Sequence, residues 1–288
     1  MKQIDELTLI CVDTINQQLA LNALHKTLLQ IKPSRCYFFT DLNEFDNKNN
    51  QIELVYIEPL NGIDDYNQFI LKKLNDYVKT SHVLVIQFDG FVVNGASWSN
   101  DFLEFDYIGA VWPFRNENEC VGNGGFSLRS KRLLEALQDA DILTNYPEDD
   151  IICLRYRQLL ETKYGIKIAP KDIANKFSVE KDRSIEFPFG FHGIFNFHLF
   201  FNDHEIYDFI FSSSLYIFKK LEFIELIHNL FTQKRIKAAN KCLEKCFQND
   251  DFPTVLLEMI LWHIPKHDNC PCGSGFSFEV CHLSRKIP

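Results

Sequence analysis

An α/β fold with a mostly parallel sheet flanked by helices, followed by a helical extension and a small zinc knuckle, is the architecture this sequence predicts. Three observations carry the prediction. Strand-length apolar runs alternate with helix-period segments through residues 1–200, helical patterning takes over in 201–263, and a cysteine-rich knot occupies 264–288. Those ranges are the expected domains.

Residues 7–12 read as the first strand, and an amphipathic helix capped at Thr14 runs to residue 29. Strands follow at 35–40 and 52–57, and a helix starts at Asp64 or Asp65 and extends to about residue 79. Residues 82–88 are the most continuous hydrophobic run, the mark of a central strand covered on both faces. One more short strand is expected at 107–111, a helix with an acidic first turn at 148–164, and an edge segment at 174–180. Residues 213–220, 221–247 and 252–263 read as helices. The phenylalanine-rich stretch 187–218 reads as core packing, with a contact to the inner membrane surface as the second reading. Trp98 and Trp112 read as core or rim packing before sugar stacking.

Composition excludes several classes. With 46% hydrophobic and 24% charged residues the chain is neither disordered nor fibrous. A net charge of −9 disfavours a basic face reading phosphates, so no nucleic acid partner is expected. No run of about 18 uninterrupted apolar residues occurs and residues 1–6 are polar and acidic, which predicts a cytoplasmic protein without a transmembrane segment. Cys11, Cys36, Cys120, Cys153, Cys242 and Cys246 are scattered and read as buried thiols of a reducing compartment.

In open α/β sheets ligands lie beyond the carboxyl ends of the strands. Asp13 and Thr14 end the first strand, Thr40 and Asp41 the second, and Asp89 and Gly90 the central one. Any one pair is explained by a turn or a helix cap, but three at one sheet edge suit a nucleotide-sized pocket. Neither G-x-G-x-x-G after the first strand nor a P-loop occurs, so dinucleotide and P-loop binding have no support.

Four elements stand out downstream. Gln87-Phe88-Asp89-Gly90 puts an acid where a buried strand emerges; Asn123, Gly124, Gly125 and Phe126 lie in a glycine-rich loop running into a helix near Ser130. Glu148, Asp149 and Asp150 open a helix, and His192 stands between glycines in an aromatic setting. Taken singly, the acids are a first turn favoured by the helix dipole, the histidine is packed and the glycines form a turn.

In this order the motifs resemble the GT-A glycosyltransferases, in particular the galactosyltransferase-like branch. The stretch from Ile108 to Pro113, the run Gly122 to Arg129 and the acid triplet are also similar to a bacterial glycosyltransferase-like family catalogued as a domain of unknown function. The resemblance spans residues 5–200. It implies a GT-A-like sheet and transfer of a hexose from a nucleotide sugar, a UDP-sugar first, to a hydroxyl on a glycan, lipid-linked or protein acceptor. Asp89 matches the second Asp of D-x-D and, with His192, is expected to bind Mn2+ or Mg2+. The loop through Gly124, Gly125, Phe126 and Ser127 matches the wall around donor sugar and acceptor, and Asp149 matches the catalytic base. Two positions depart from the pattern: Gln87 replaces the first Asp, and Phe189 stands where the β-1,4-galactosyltransferases carry a methionine ligand.

The chemistry is coherent. A divalent cation stabilises charge on a departing diphosphate, and a carboxylate within hydrogen-bond reach takes the acceptor's proton. Asp149 is the first choice for the base, Asp150 the second, and Glu148 an orienting neighbour. A single base without a second carboxylate nucleophile implies direct displacement with inversion. The rival reading is a non-enzymatic adaptor that has lost donor binding, as Gln87 and Phe189 hint; a metal-dependent hydrolase using the same acids is a weaker third.

Cys270-Pro-Cys272, eight residues and then Cys281-His282 supply four ligands, enough to close a tetrahedral zinc site with no open position. Such a zinc is structural, and its binding supplies folding energy to a segment too small for a core. The string resembles the SEC-C motif, known from the tail of the bacterial translocation ATPase and as an appendage of diverse proteins. That resemblance implies zinc and a protein partner.

Overall fold

Leu7, Leu9 and Cys11 face one side of strand β1 (Lys2–Val12), while Thr8, Ile10 and Val12 face the other, and all are buried. A strand covered on both faces belongs in the middle of a parallel sheet. The computed structural model describes residues 1–44, 51–182, 187–247, 267, 269–270 and 275–283, and the chain divides into two units, Met1–His192 and Gly193–Pro288.

Helix α1 (Gln17–Gln30) follows β1. The turn before it is held by Asp13, whose Oδ1 accepts from the Ile15 and Asn16 amides at 2.7 and 2.6 Å, and the cap expected of Thr14 is not made: the helix starts after Asn16 with no side-chain cap. Strands β2 (Ile31–Thr40) and β3 (Glu53–Tyr56) come next. Helix α2 (Ile63–Gln68) is shorter than its pattern, because it passes into a π turn at Phe69–Lys73 and a 3-10 turn at Leu74–Asp76. Strand β4 (His82–Ile86) is buried throughout and is followed by β5 (Gly90–Val92). The strand expected over 107–111 is split at Gly109 into β6 (Tyr107–Ile108) and β7 (Ala110–Val111).

The glycine-rich segment is more ordered than a loop. It makes β8 (Val121–Gly122), a turn, and β9 (Phe126–Ser130), after which Ser130 Oγ accepts from the Leu133 amide at 2.9 Å and caps α3 (Lys131–Ala136). The acid triplet forms α4 (Glu148–Asp150), a π turn follows at Ile151–Arg155, and α5 (Arg157–Tyr164) ends on Gly165 at φ 65°. The expected edge segment at 174–180 is instead the end of α6 (Lys171–Phe177) and the short β10 (Ser178–Val179), because Ala174 and Phe177 form a buried helical face. Strand β11 (Gly190–His192) closes the unit.

The main sheet has the order β3-β2-β1-β4-β9-β6. Its first four strands are parallel, and β9 runs antiparallel to both β4 and β6. This is the mixed, mostly parallel α/β class the sequence predicts. A second sheet, β10-β11-β5, pairs Ser178 with Gly190 and His192 with Gly90. One core cluster joins Ile10, Val12, Phe39, Val83 and Val85 to Tyr66, Phe69 and Leu74 of the helical segment. Another holds Leu133, Leu137, Ile151, Ile152 and Leu160 together.

In the second unit, α7 (Phe197–Phe200) leads to α8 (Asp203–Ser212), which the sequence pattern did not show and which opens on a reciprocal Asn202–Glu205 cap. Residues 213–220 form a turn and a 3-10 turn at Ile217–Lys219 rather than a helix. Helices α9 (Leu221–Thr232) and α10 (Ile236–Phe247) are separated at Lys234, with φ 60°. Phe197 stacks on Phe201 and meets Phe209 edge-on, so these rings pack in a core. The six scattered cysteines are all buried. The expected helix at 252–263 and Cys272 lie outside the described residues, as does the side chain of His282. Cys270 and Cys281 are buried beside a bridge between Asn269 and Ser277. Among the described residues no helix is long and apolar enough to cross a membrane.

Candidate active site

Register brings the chemistry together. Gly90 sits opposite His192 across β5 and β11, so Asp89, one residue before β5, meets the ring: Oδ1 lies 3.4 Å from His192 Nε2. A Cβ at Gly90 would press on the Phe191 carbonyl and the His192 ring, so the glycine permits the approach. On the opposite side of the imidazole, Glu180 Oε1 lies 3.3 Å from Nδ1, where Asn123 Nδ2 also approaches to 3.1 Å. Burial alone would push His192 down, but the charge and hydrogen bond of Asp89, with those of Glu180, outweigh it and raise the pKa to about 10.

The turn between β8 and β9 is built for close contact. Asn123 takes φ 70° and folds back so that Oδ1 accepts from the Gly125 amide at 2.9 Å and the Phe126 amide at 3.4 Å. A Cβ at Gly124 would overlap the Glu148 carboxylate and one at Gly125 the His192 ring, so a side chain at either position would require that neighbour to shift. The Gly124 amide donates to Asp149 Oδ2 at 3.1 Å, and the Asp150 amide to Asp149 Oδ1 at 2.9 Å. Those bonds fix the orientation of the Asp149 carboxylate.

The acids of the triplet differ sharply in environment. Glu148 is buried and paired with the fully buried Arg129 at 2.8 Å, and its amide donates to Asn67 Oδ1 at 3.2 Å. Arg129 also donates to Ser127 Oγ and to the Gly124 carbonyl, at 3.0 and 3.3 Å. Burial raises the Glu148 carboxyl against the pull of Arg129. Asp150 is held by Arg155 Nε at 2.6 Å, and Arg155 lies over the Tyr146 ring. Among the described residues Asp149 is the member of the triplet without an arginine partner.

A cleft of about 180 Å³ is lined by Tyr66, Asn67, Gln87, Trp112, Asn123, Gly124, Gly125, Glu148, Asp149, Glu180 and His192. Two grooves are larger, about 490 and 510 Å³, but neither gathers a comparable set of converging polar groups. The cleft therefore collects Gln87 of the strand end, the glycine pair, Glu148 and Asp149 of the triplet and the histidine, while Asp89 and Asp150 do not line it. Phe126 turns its ring into the core against Phe177 and does not line it. Gln87 donates to the Tyr66 hydroxyl at 3.0 Å.

The first two strand ends form a neighbouring cluster. Burial raises the Asp13 carboxyl, with the charges of Asp89 and Asp41 adding to it, so the three acids share one field. Gln17 Nε2 bridges Asp41 at 2.9 Å and the Thr14 carbonyl at 2.9 Å, and Thr14 Oγ1 accepts from the Leu60 amide at 3.0 Å. Thr40 is buried behind Asp41. None of these side chains lines the cleft itself.

Among the described residues no three His, Cys, Asp or Glu side chains form a metal-holding group. Asp89 and His192 nevertheless offer one carboxylate oxygen and one imidazole nitrogen 3.4 Å apart. Neighbouring ligands of one Mg2+ or Mn2+ stand roughly 3 Å apart, so this donor pair suits a hard cation whose other positions are filled by water and phosphate oxygen. Sequence reasoning missed Tyr66, Asn67, Arg129 and Glu180.

Residues 49–192 match a family described as a protein of unknown function, DUF5672. No curated protein matches the chain. Solved structures similar to it include the galactosyltransferase LgtC in complex with donor and acceptor sugar analogs, at 12% sequence identity and TM-score 0.42 over 64% of this chain and 86% of that one. An active-site mutant of LgtC is similar at 11% identity and TM-score 0.41, again over 64% and 86% of the two chains.

Proposed function

The chain belongs to the DUF5672 family, and we propose that it is a glycosyltransferase moving a hexose from a nucleotide sugar, a UDP-sugar first, to a hydroxyl acceptor. One observation carries the reading: Gly124, Asp149 and His192, far apart in sequence, meet in one cleft beyond the carboxyl end of β4, with Asp89 against the histidine. The sequence motifs point to the same chemistry. Asp149 is the base. Its carboxylate is oriented by the Gly124 and Asp150 amides and carries no arginine, so it is available to take the acceptor's proton as that oxygen bonds to the anomeric carbon. The bond from the anomeric carbon to the diphosphate breaks in the same displacement, and inversion follows because Glu148 is engaged by Arg129. Asp89 and His192 would hold Mn2+ or Mg2+, which supplies charge stabilisation to the departing diphosphate. Gln87 and Tyr66, which line the cleft, hydrogen-bond the donor in this reading, and Asp13 and Asp41 lie outside the lining. Cys270, Cys272, Cys281 and His282 would hold a structural zinc, and the knuckle would recruit a protein partner or acceptor.

The test is a thermal shift with UDP-, GDP-, CMP- and dTDP-sugars, with and without Mn2+, on wild type and Asp89→Ala. A ligand at about a hundred times its dissociation constant adds roughly 2.7 kcal/mol. A Mn2+-dependent shift for one nucleotide, lost in Asp89→Ala, supports the transferase. One observation favours the adaptor reading: the cleft's 180 Å³ is below the roughly 300 Å³ at which ligand pockets begin. No shift with any donor, in protein that retains its zinc, decides for the adaptor.

A further inference from the structure

Strands β10 and β11 run parallel with Val179 beside Phe191, and that register carries Glu180 to the Nδ1 side of His192 while Asp89 meets the Nε2 side. Among the described residues, Glu180 Oε1 at 3.3 Å and Asn123 Nδ2 at 3.1 Å approach Nδ1. The Asn123 amide cannot flip without loss, because its oxygen already accepts from the amides of Gly125 and Phe126. What it aims at the imidazole is therefore a donor. Asn123 and Glu180 ask opposite things of the same nitrogen. A bare Nδ1 accepts from Asn123, which puts the proton on Nε2, towards Asp89. A protonated Nδ1 donates to Glu180, and a cation that displaces the Nε2 proton then meets the lone pair of that nitrogen beside the Asp89 carboxylate.

We propose that Glu180 is a positioning residue that holds the proton on His192 Nδ1 and thereby makes Nε2, together with Asp89, a binding pair for a divalent cation. This rests on the metal-assisted reading above. A carboxylate behind a ligating histidine fixes its tautomer and strengthens it as a ligand. Here it also supplies negative charge that Gln87, at the first D-x-D position, does not. The charge comes from behind the imidazole instead of from a first-position aspartate, and the short β10–β11 pairing is what delivers it.

The experiment is Mn2+ titration of the full chain, read by the electron paramagnetic resonance of free Mn2+, for wild type, Glu180→Ala, Glu180→Gln, Glu180→Asp and Asp89→Ala. Each variant is first shown to be folded by its circular dichroism spectrum and a cooperative thermal transition, so that an unfolded chain is not mistaken for a lost ligand. Glu180→Ala should weaken Mn2+ binding by roughly 10- to 100-fold. Glu180→Gln should weaken it less, because its amide oxygen still accepts from Nδ1, Glu180→Asp should recover part of the loss, and Asp89→Ala should abolish binding. With Mg2+ bound, the 15N resonances of His192 should report a protonated Nδ1 in wild type and lose that signature in Glu180→Ala. Wild-type affinity in Glu180→Ala, with binding lost in Asp89→Ala, overturns the role of Glu180 and leaves the metal reading standing. Absence of Mn2+ binding in wild type, or its survival in Asp89→Ala, overturns the metal site and the inference with it.

Discussion

Asp149 has an arginine–carboxylate pair on each side of it in the chain, and the two could hardly be less alike. On the inner side Glu148 and Arg129 have side chains 5% and 0% exposed; on the outer side Asp150 and Arg155 are 25% and 42% exposed. The inner pair is tied through Arg129 to the Gly124 carbonyl and Ser127, so it belongs to the wall of the cleft. The outer pair rests against Tyr146 at the surface. Burial decides what each can do. A buried pair that loses one partner leaves a charge without water, whereas an exposed pair exchanges its partner for solvent.

The sharpest way to use this contrast is to change the residue between the pairs. Asp149→Asn should lower the transfer rate by about 10²- to 10⁴-fold while the urea midpoint stays at the wild-type value, because the amide oxygen can still accept from Gly124. Breaking the inner pair comes next. Arg129→Met should remove about 3–5 kcal/mol of unfolding free energy, and Arg129→Met with Glu148→Met should return most of it, both read by urea denaturation. If the single variant is as stable as wild type, the inner pair is no more structural than the outer. Gly124→Ala follows, since its methyl would overlap a Glu148 carboxylate that Arg129 prevents from yielding. A loss of about 1–3 kcal/mol is expected, with donor binding weakened in parallel. The smallest effect belongs to the outer pair: Arg155→Ala should change stability by under about 1 kcal/mol and leave turnover within twofold, and a larger loss of turnover would give Asp150 the role assigned to Asp149.

The parts of the site that could be read from the chain are those whose signal is local. An acid at the end of an apolar run, paired glycines, consecutive acids and a glycine-flanked histidine are each visible in a few residues, and the structure brings Gly124, Asp149 and His192 to one cleft with Asp89 against the ring. Glu180 was hidden because its place depends on a two-residue parallel pairing with β11, which no local pattern announces. Arg129 was hidden for a related reason. Its strand β9 lies between β4 and β6 and is covered on both faces, yet alternates Ser and Arg with Phe and Leu, so the polar side chains look like those of a loop until their buried partners are known. The sheet class was legible from the rhythm of apolar runs. Helix interiors were less so, because the π turns at Phe69–Lys73 and Ile151–Arg155 keep the apolar spacing while changing the backbone. In α8 the Asn202–Glu205 cap was a start signal that the surrounding phenylalanines obscured.

The missing side chains at 124 and 125 bind together positions that lie far apart along the chain. The space that a methyl would need at one is filled by Glu148, and at the other by His192. Over evolutionary time these four positions are not independent: a lineage that acquires alanine at 124 must first surrender the buried glutamate, and one that acquires alanine at 125 must move or lose the histidine. Relatives that keep both glycines should therefore keep Glu148 and His192 as a set, and the substitutions should arrive together where any arrives at all.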